Sequence, residues 1–236
     1  MKKVIRCLLL ALFLAASGNA QDTSKKTTEP QAFKAGGTPI VIPAPTGDMV
    51  EVGYDNREFM EIFVPTSNRL LAAFVLTNEL PRLFSAGDDL VMSKYATVQV
   101  PRRFEYMDCE ESDFKEVTDG AKAELGDIIN SSTKEAEEEF NRRMESLDLE
   151  EATVSLGQPI QLGCIFAKPD AYGFGMILPV SMGGKTTNIG AGVALVRAKK
   201  RLLFAYLYAE YKNEETVKWL RKTTEEWADA ILEANK

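Results

Sequence analysis

The sequence predicts an α+β fold: a mainly antiparallel β-sheet with amphipathic helices packed on its faces, ending in a hairpin and a helix. Three observations carry this. The first is the C-terminal run, which reads as strand Ile189–Val196, basic turn Arg197–Arg201, strand Leu202–Tyr211 and helix Glu214–Asn235. The second is a charged stretch, Asp113–Leu147, with apolar residues at helical spacing. The third is the strand-like composition on both sides of that stretch.

Within the C-terminal run, Leu202–Tyr211 is apolar on both alternating sets, Leu203, Ala205, Leu207, Ala209 and Leu202, Phe204, Tyr206, Tyr208. A strand half open to water alternates apolar with polar, so this one is expected to be central and covered on both sides. The strand before it, Ile189–Val196, puts branched residues on one face and small ones on the other, which lets a helix approach closely. Arg197, Lys199, Lys200 and Arg201 are expected to keep the hairpin turn in water. Asn213 is placed as the N-cap of the last helix, with Glu214 and Glu215 in its first turn. Val217, Leu220, Trp227 and Ile231 form its apolar stripe, widened by Ala228 and Leu232. Trp219 lies off that stripe, against a neighbouring element or at a surface. Phe204, Tyr206, Tyr208, Trp219 and Trp227 are therefore read as scaffold residues.

At the other end, Met1–Ala20 has the pattern of a secretory signal peptide. Lys2, Lys3 and Arg6 precede an apolar run, and Gly18 and Ala20 offer small residues at a cleavage site after Ala20. The pattern resembles bacterial signals and predicts a periplasmic or secreted product. No later segment is long and apolar enough to be transmembrane. Three of the 28 basic residues and none of the 35 acids lie in that segment, so the cleaved chain carries 25 against 35, a net charge of −10. Such a surface argues against a nucleic-acid partner. Gln21–Gly37 reads as a flexible leader, and 38–236 as one α+β domain. Ile40-Val41-Ile42 is a candidate edge strand among Pro39, Pro43 and Pro45. Phe59–Val64 and Leu70–Leu76 flank Pro65-Thr66-Ser67-Asn68 and predict a hairpin. Asn78–Asp89 is loop or a short helical turn, and Val91–Val100 a strand that Pro101 ends. In Asp113–Leu147 the stripe Phe114, Val117, Ala121, Leu125, Ile128 is followed by Asn130-Ser131-Ser132. Ser132 with Glu135 matches a capping box and predicts a second helix carrying Ala136, Phe140, Met144 and Leu147. Glu135, Glu137, Glu138 and Glu139 form its solvated face. Beyond Thr153, Gln158–Ala167 and Gly173–Ser181 are strand candidates.

The chain has no histidine. This excludes Ser-His-Asp and Cys-His catalysis and histidine zinc sites. Gly183-Gly184-Lys185-Thr186 has the end of a phosphate-binding loop but Pro179 where that loop needs glycine, and a strand follows rather than a helix. Ser112-Asp113-Phe114-Lys115 and Ser131-Ser132-Thr133-Lys134 match Ser-x-x-Lys, which puts a lysine beside a nucleophilic serine, without the accompanying Lys-Thr-Gly. Asp88-Asp89 and Glu110-Glu111 are acid pairs, and no carboxylate pair stands out among the 35 acids. No cofactor or metal motif is found. Cys109 and Cys164 are the only cysteines after Ala20, and in an oxidising compartment they form a candidate disulfide that would stabilise the fold by ~4 kcal/mol. The opposite reading is a free, buried Cys164 in an apolar strand.

The order of elements from Ile40 to Asn235 resembles the PsbP/Mog1-like sandwich, most specifically in Val193–Leu207 leading to Trp219 and Trp227. The helices of Asp113–Leu147 depart from that pattern, and no catalytic motif is carried over. The resemblance implies an α/β/α sandwich and, since such proteins serve mostly in binding and assembly, a non-enzymatic binding or accessory protein of the bacterial envelope. Its partner would be a protein or another envelope component. The alternative is a histidine-free hydrolase acting on glycans through carboxylates. An inhibitor of another secreted protein, suggested by size and acidity, is a third reading.

Overall fold

The structure, a computed structural model, describes residues 32–53, 57–82, 92–146, 153–182 and 184–236. Met1–Ala20, read above as a signal peptide, and the expected leader as far as Gln31 lie outside these. Ten strands are described: β1 (Ala32–Ala35), β2 (Thr38–Val41), β3 (Met49–Glu51), β4 (Asn68–Leu76), β5 (Lys94–Pro101), β6 (Val154–Leu156), β7 (Ile160–Lys168), β8 (Ala171–Met182), β9 (Lys185–Ala198) and β10 (Arg201–Glu210). The α-helices are α1 (Arg57–Glu61), α2 (Glu111–Ser146) and α3 (Glu214–Glu233). Strands β3 to β10 form one antiparallel sheet in the order β3-β4-β5-β10-β9-β8-β6, with β7 also paired to β8. β1 and β2 make a separate hairpin.

The two-faced strand is central, as its sequence requires. β10 pairs with β5 on one side and β9 on the other. Leu203, Ala205 and Leu207 bury against Leu220, Trp227, Ala228 and Ile231 of α3. Phe204, Tyr206 and Tyr208 bury on the other face, in one cluster with Phe114, Ala121 and Ile129 of α2 and Met60 of α1. Tyr208 stands opposite Tyr95 of β5, their rings stacked at 4.4 Å and 13°, and Tyr206 stacks on Tyr208 at 6.1 Å. The architecture is thus an α+β sandwich with helices on both faces of the sheet.

α3 sits close to the sheet because β9 offers it glycines. A Cβ at Gly192 would lie 2.0 Å from Thr224 Oγ1 and 3.2 Å from its Cβ, and one at Gly190 would lie 2.5 Å from Leu220 Cδ1. The Asn213 side chain accepts the Glu215 N–H at 2.9 Å, as expected of the cap. Trp227 donates to Pro43 O at 2.8 Å and meets Phe74 edge-on. Trp219, off the stripe, is half-buried with Lys94 Nζ 4.1 Å above its ring.

Several expectations are corrected. Ala32–Gly37, expected as the end of a leader, is the first arm and turn of the β1–β2 hairpin, held by buried Phe33 and Ala35. Phe59–Val64 is not a strand. Met60, Phe63 and Val64 bury at intervals of three and four, the helical period, so α1 and a turn form instead. The long helical stretch does not break at Asn130–Ser132. Ile129, Thr133, Ala136 and Phe140 keep one buried stripe through it, and Thr133 Oγ1 donates to Ile129 O at 2.7 Å. The local break falls at Glu124 (φ −118°, ψ 18°), two residues before Gly126, where the helix meets Gln161 of β7. Leu147 lies outside the described residues. Arg197 and Arg201 do not stand in water: their side chains are each 12% exposed and ion-paired. Only Lys199 and Lys200, with φ of 45° and 60°, form the exposed turn.

Substituting Gly192→Ala should destabilise the protein by ~1–3 kcal/mol, because the stiff Thr224 cannot withdraw. Gly190→Ala should cost less, since the end of Leu220 can rotate away. Urea unfolding of both variants measures the difference, and equal midpoints would contradict this packing.

Candidate functional site

The segment after β5 leaves the sheet and returns to start α2. Arg102 fixes its departure: its N–H donates to Ser67 O at 2.9 Å, and its Nε to Thr66 O and Asn68 O at 3.1 and 3.0 Å. Glu105 turns inward and is buried. Its carboxylate accepts from Arg69 Nε at 3.1 and 3.2 Å and from the Gly36 N–H at 3.3 Å. The Arg69 hydrogen bond holds the Glu105 carboxyl below its ordinary pKa. The Cys109 N–H donates to Lys200 O at 2.8 Å, and the Asp113 carboxylate accepts the Glu110 N–H at 2.9 Å as α2 begins. With the interior fixed this way, the tip of the segment faces out. Tyr106 is 78% and Met107 57% exposed.

Between this loop and the first turns of α2 lies a cleft of about 770 Å³. Phe104, Met107, Val117, Ala123 and Leu202 give it an apolar lining, and Asp108, Asp113, Glu116, Asp119 and Glu124 surround that with carboxylates. Among the described residues, Lys115 is the single basic one lining it. Cys109 also lines it; burial, then the Asp113 charge, pushes its thiol up to about 11.

Ser112 and Lys115, singled out by their spacing, both reach the cleft. Lys115 is, however, paired with Asp119, whose carboxyl is held below its ordinary pKa first by Lys115 and also by Lys122. Ser131 is exposed, and Lys134 points to Glu138 at 3.9 Å. Glu110 and Glu111 do not face each other across a cleft. Glu110 pairs with Lys200 at 2.7 Å and Glu111 with Arg197 at 3.4 Å, tying the start of α2 to the β9–β10 turn. Asp88-Asp89 and Gly183 lie outside the described residues, and Lys185-Thr186 begins β9 opposite Met182 and Ser181. Among the described residues, no three cysteine or carboxylate side chains gather as a metal site.

Of the two readings, a disulfide or a free buried Cys164, the structure has both cysteines unbonded. Cys109 is buried beside the cleft, whereas Cys164 is exposed on β7, where its Sγ lies 3.4 Å from Phe166 O and its carbonyl accepts from Arg221 of α3. Sequence reasoning missed the Phe104–Asp108 loop. Its one signal was the apolar pair Tyr106-Met107 standing among charges.

In the folded protein comprising residues 21–236, at neutral pH, iodoacetamide should label Cys164 and spare Cys109. Unfolded without reductant, both should react; one or none would mean a bridge. Because the folded state holds the Cys109 proton above the ~8.5 of a free thiol, its contribution to stability should fall as pH rises from there towards about 11. Glu105→Ala should cost ~2 kcal/mol, less than a fully buried pair because Arg69 is partly exposed. Since the Glu105 pKa is lowered, that contribution is present above ~4.3 and lost as pH falls through the lowered value; urea midpoints against pH measure both effects.

No family model matches the chain, and no curated protein matches it in sequence. Solved structures do resemble it. The solution structure of the cyanobacterial PsbP (CyanoP) of Synechocystis sp. PCC 6803 matches at 12% identity and TM-score 0.36, covering 88% of this chain and 95% of that one. The Ran-binding protein Mog1p of Saccharomyces cerevisiae matches at 14% identity and TM-score 0.29, covering 89% and 93%. A mutant of Mog1 matches at 14% identity and TM-score 0.31, covering 88% and 93%. The chain is similar to these proteins in the arrangement of its elements, a distant PsbP/Mog1-like likeness that carries no residue of the cleft across.

Proposed function

We propose that the protein is a non-enzymatic binding or accessory protein of a bacterial envelope, working in the periplasm or outside the cell once Met1–Ala20 has been removed. The observation that carries this reading is the chemistry of the cleft. It is concave and apolar-lined, and three of its five carboxylates are engaged within the protein. Asp119 is engaged by Lys115 and Lys122, Asp108 by Arg201 at 3.2 Å, and Asp113 by the Glu110 N–H. Cys109 is protonated at neutral pH and so a weak nucleophile. The charge run at the N-terminus and the apolar run behind it support export. Among the described residues, no helix is long and apolar enough to cross a membrane.

Affinity capture from envelope extract with the mature protein should recover a specific partner, while incubation with envelope glycans should release no reducing ends. Periplasmic material should begin at Gln21 by intact mass. Glycan turnover that disappears on replacing a cleft carboxylate would favour the hydrolase reading instead.

A further inference from the structure

We propose that the cleft between the Phe104–Asp108 loop and α2 receives a polypeptide segment of a partner protein, one that carries basic residues flanked by apolar side chains. This rests on the binding reading above and names its partner's chemistry. The first argument is charge complementarity. Five carboxylates and one lysine line the cleft. Asp108, Asp113 and Asp119 have partners within the protein, but Glu116 and Glu124 are exposed and make no ion pair among the described residues. They leave a negative field over an apolar floor of Phe104, Val117 and Leu202.

The second argument is extent. Tyr106 and Met107 continue the apolar surface past the rim, and both residue types are enriched at protein interfaces. A small organic cation seated in the cleft would leave Tyr106 bare, whereas a passing chain segment would cover it. The third argument is preorganisation. Arg102 and the Arg69–Glu105–Gly36 contacts hold the loop from within, so ordering it adds little cost on binding. A metal ion is not the cation the site suits, because its carboxylates do not gather within ligating reach of one point.

The test uses the mature protein and a fluorescent peptide, Leu-Lys-Leu-Lys-Leu, with a photoreactive central leucine. It should bind saturably and more weakly as salt rises, and its cross-links should map to the Phe104–Cys109 loop and the first turns of α2. The double variant E116K/E124K and the single variant M107D should each weaken binding at least tenfold. All three positions are exposed, so thermal unfolding should be unchanged. Leu-Glu-Leu-Glu-Leu should not bind, and Gly-Lys-Gly-Lys-Gly should bind at least tenfold more weakly. Cross-links elsewhere, undiminished binding by E116K/E124K, or equal binding of the glutamate peptide would overturn the proposal. So would sedimentation showing that the protein self-associates through this face and that E116K/E124K dissociates it. If an envelope partner is captured equally well by E116K/E124K, the binding function stands and this site assignment falls. If the peptide binds in the cleft and no envelope partner is found, the site assignment stands and the broader function falls.

Discussion

β9 and β10 are the only described link between the two halves of the large sheet. On one side lie β3, β4 and β5; on the other, β8 with β6 and β7. Neither half pairs with the other except through this hairpin, whose ten facing residue pairs run from Arg201 opposite Ala198 to Glu210 opposite Ile189. A strand in that position cannot present a polar face to either side, because an unpaired polar group there would be stranded away from water. The composition of Leu202–Ala209 follows from that constraint. So does the alternation of β9, whose glycines admit α3 while Val193 and Leu195 fill the opposite face.

The same hairpin organises the candidate site. Arg197 and Arg201 flank its turn and reach sideways rather than outwards. Arg197 Nε donates to Asp170 at 2.7 Å and its guanidinium lies near Glu111, while Arg201 reaches Asp108 and donates to Thr38 Oγ1 at 3.0 Å. One turn therefore places the β7–β8 connection, the start of α2, the end of the exposed loop and the N-terminal hairpin. At the far edge, β7 is irregular: its register against β8 shifts twice, Gly163 has φ 74°, and Arg221 of α3 donates to the carbonyls of Leu162 and Cys164. These features keep that edge from recruiting another strand.

The sheet centre, the last helix and its cap were legible in the sequence because their signals are local and repeated: alternation, a 3.6-residue stripe, an Asn before two acids. What was not legible depended on partners distant in sequence. Arg197 and Arg201 look like turn solubilisers until Asp170 and Asp108 are placed beside them. Asn130-Ser131-Ser132 looks like a break, yet Asn130 and Ser131 face water on a helix whose buried stripe runs on past them. Phe59–Val64 is short enough that a helical and a strand period are hard to separate. The cleft was least legible of all. Its lining comes from a loop with no regular pattern, from the exposed side of α2 and from one residue of β10, and only their juxtaposition makes it a site.

The position of the central hairpin so late in the chain sets the order in which a growing polypeptide can fold. A ribosome that has completed β8 has delivered both flanks of the sheet and nothing to join them, so β5 and β8 each expose an unpaired edge until residue 210 has emerged. The N-terminal hairpin waits longer still. It is pinned by Trp227 through Pro43 and by Asn235, which exchanges hydrogen bonds of 2.9 and 2.7 Å with the Val41 backbone across 194 residues of sequence. Until those residues are available, neither the N-terminal hairpin nor the face of α3 it covers has its native contacts.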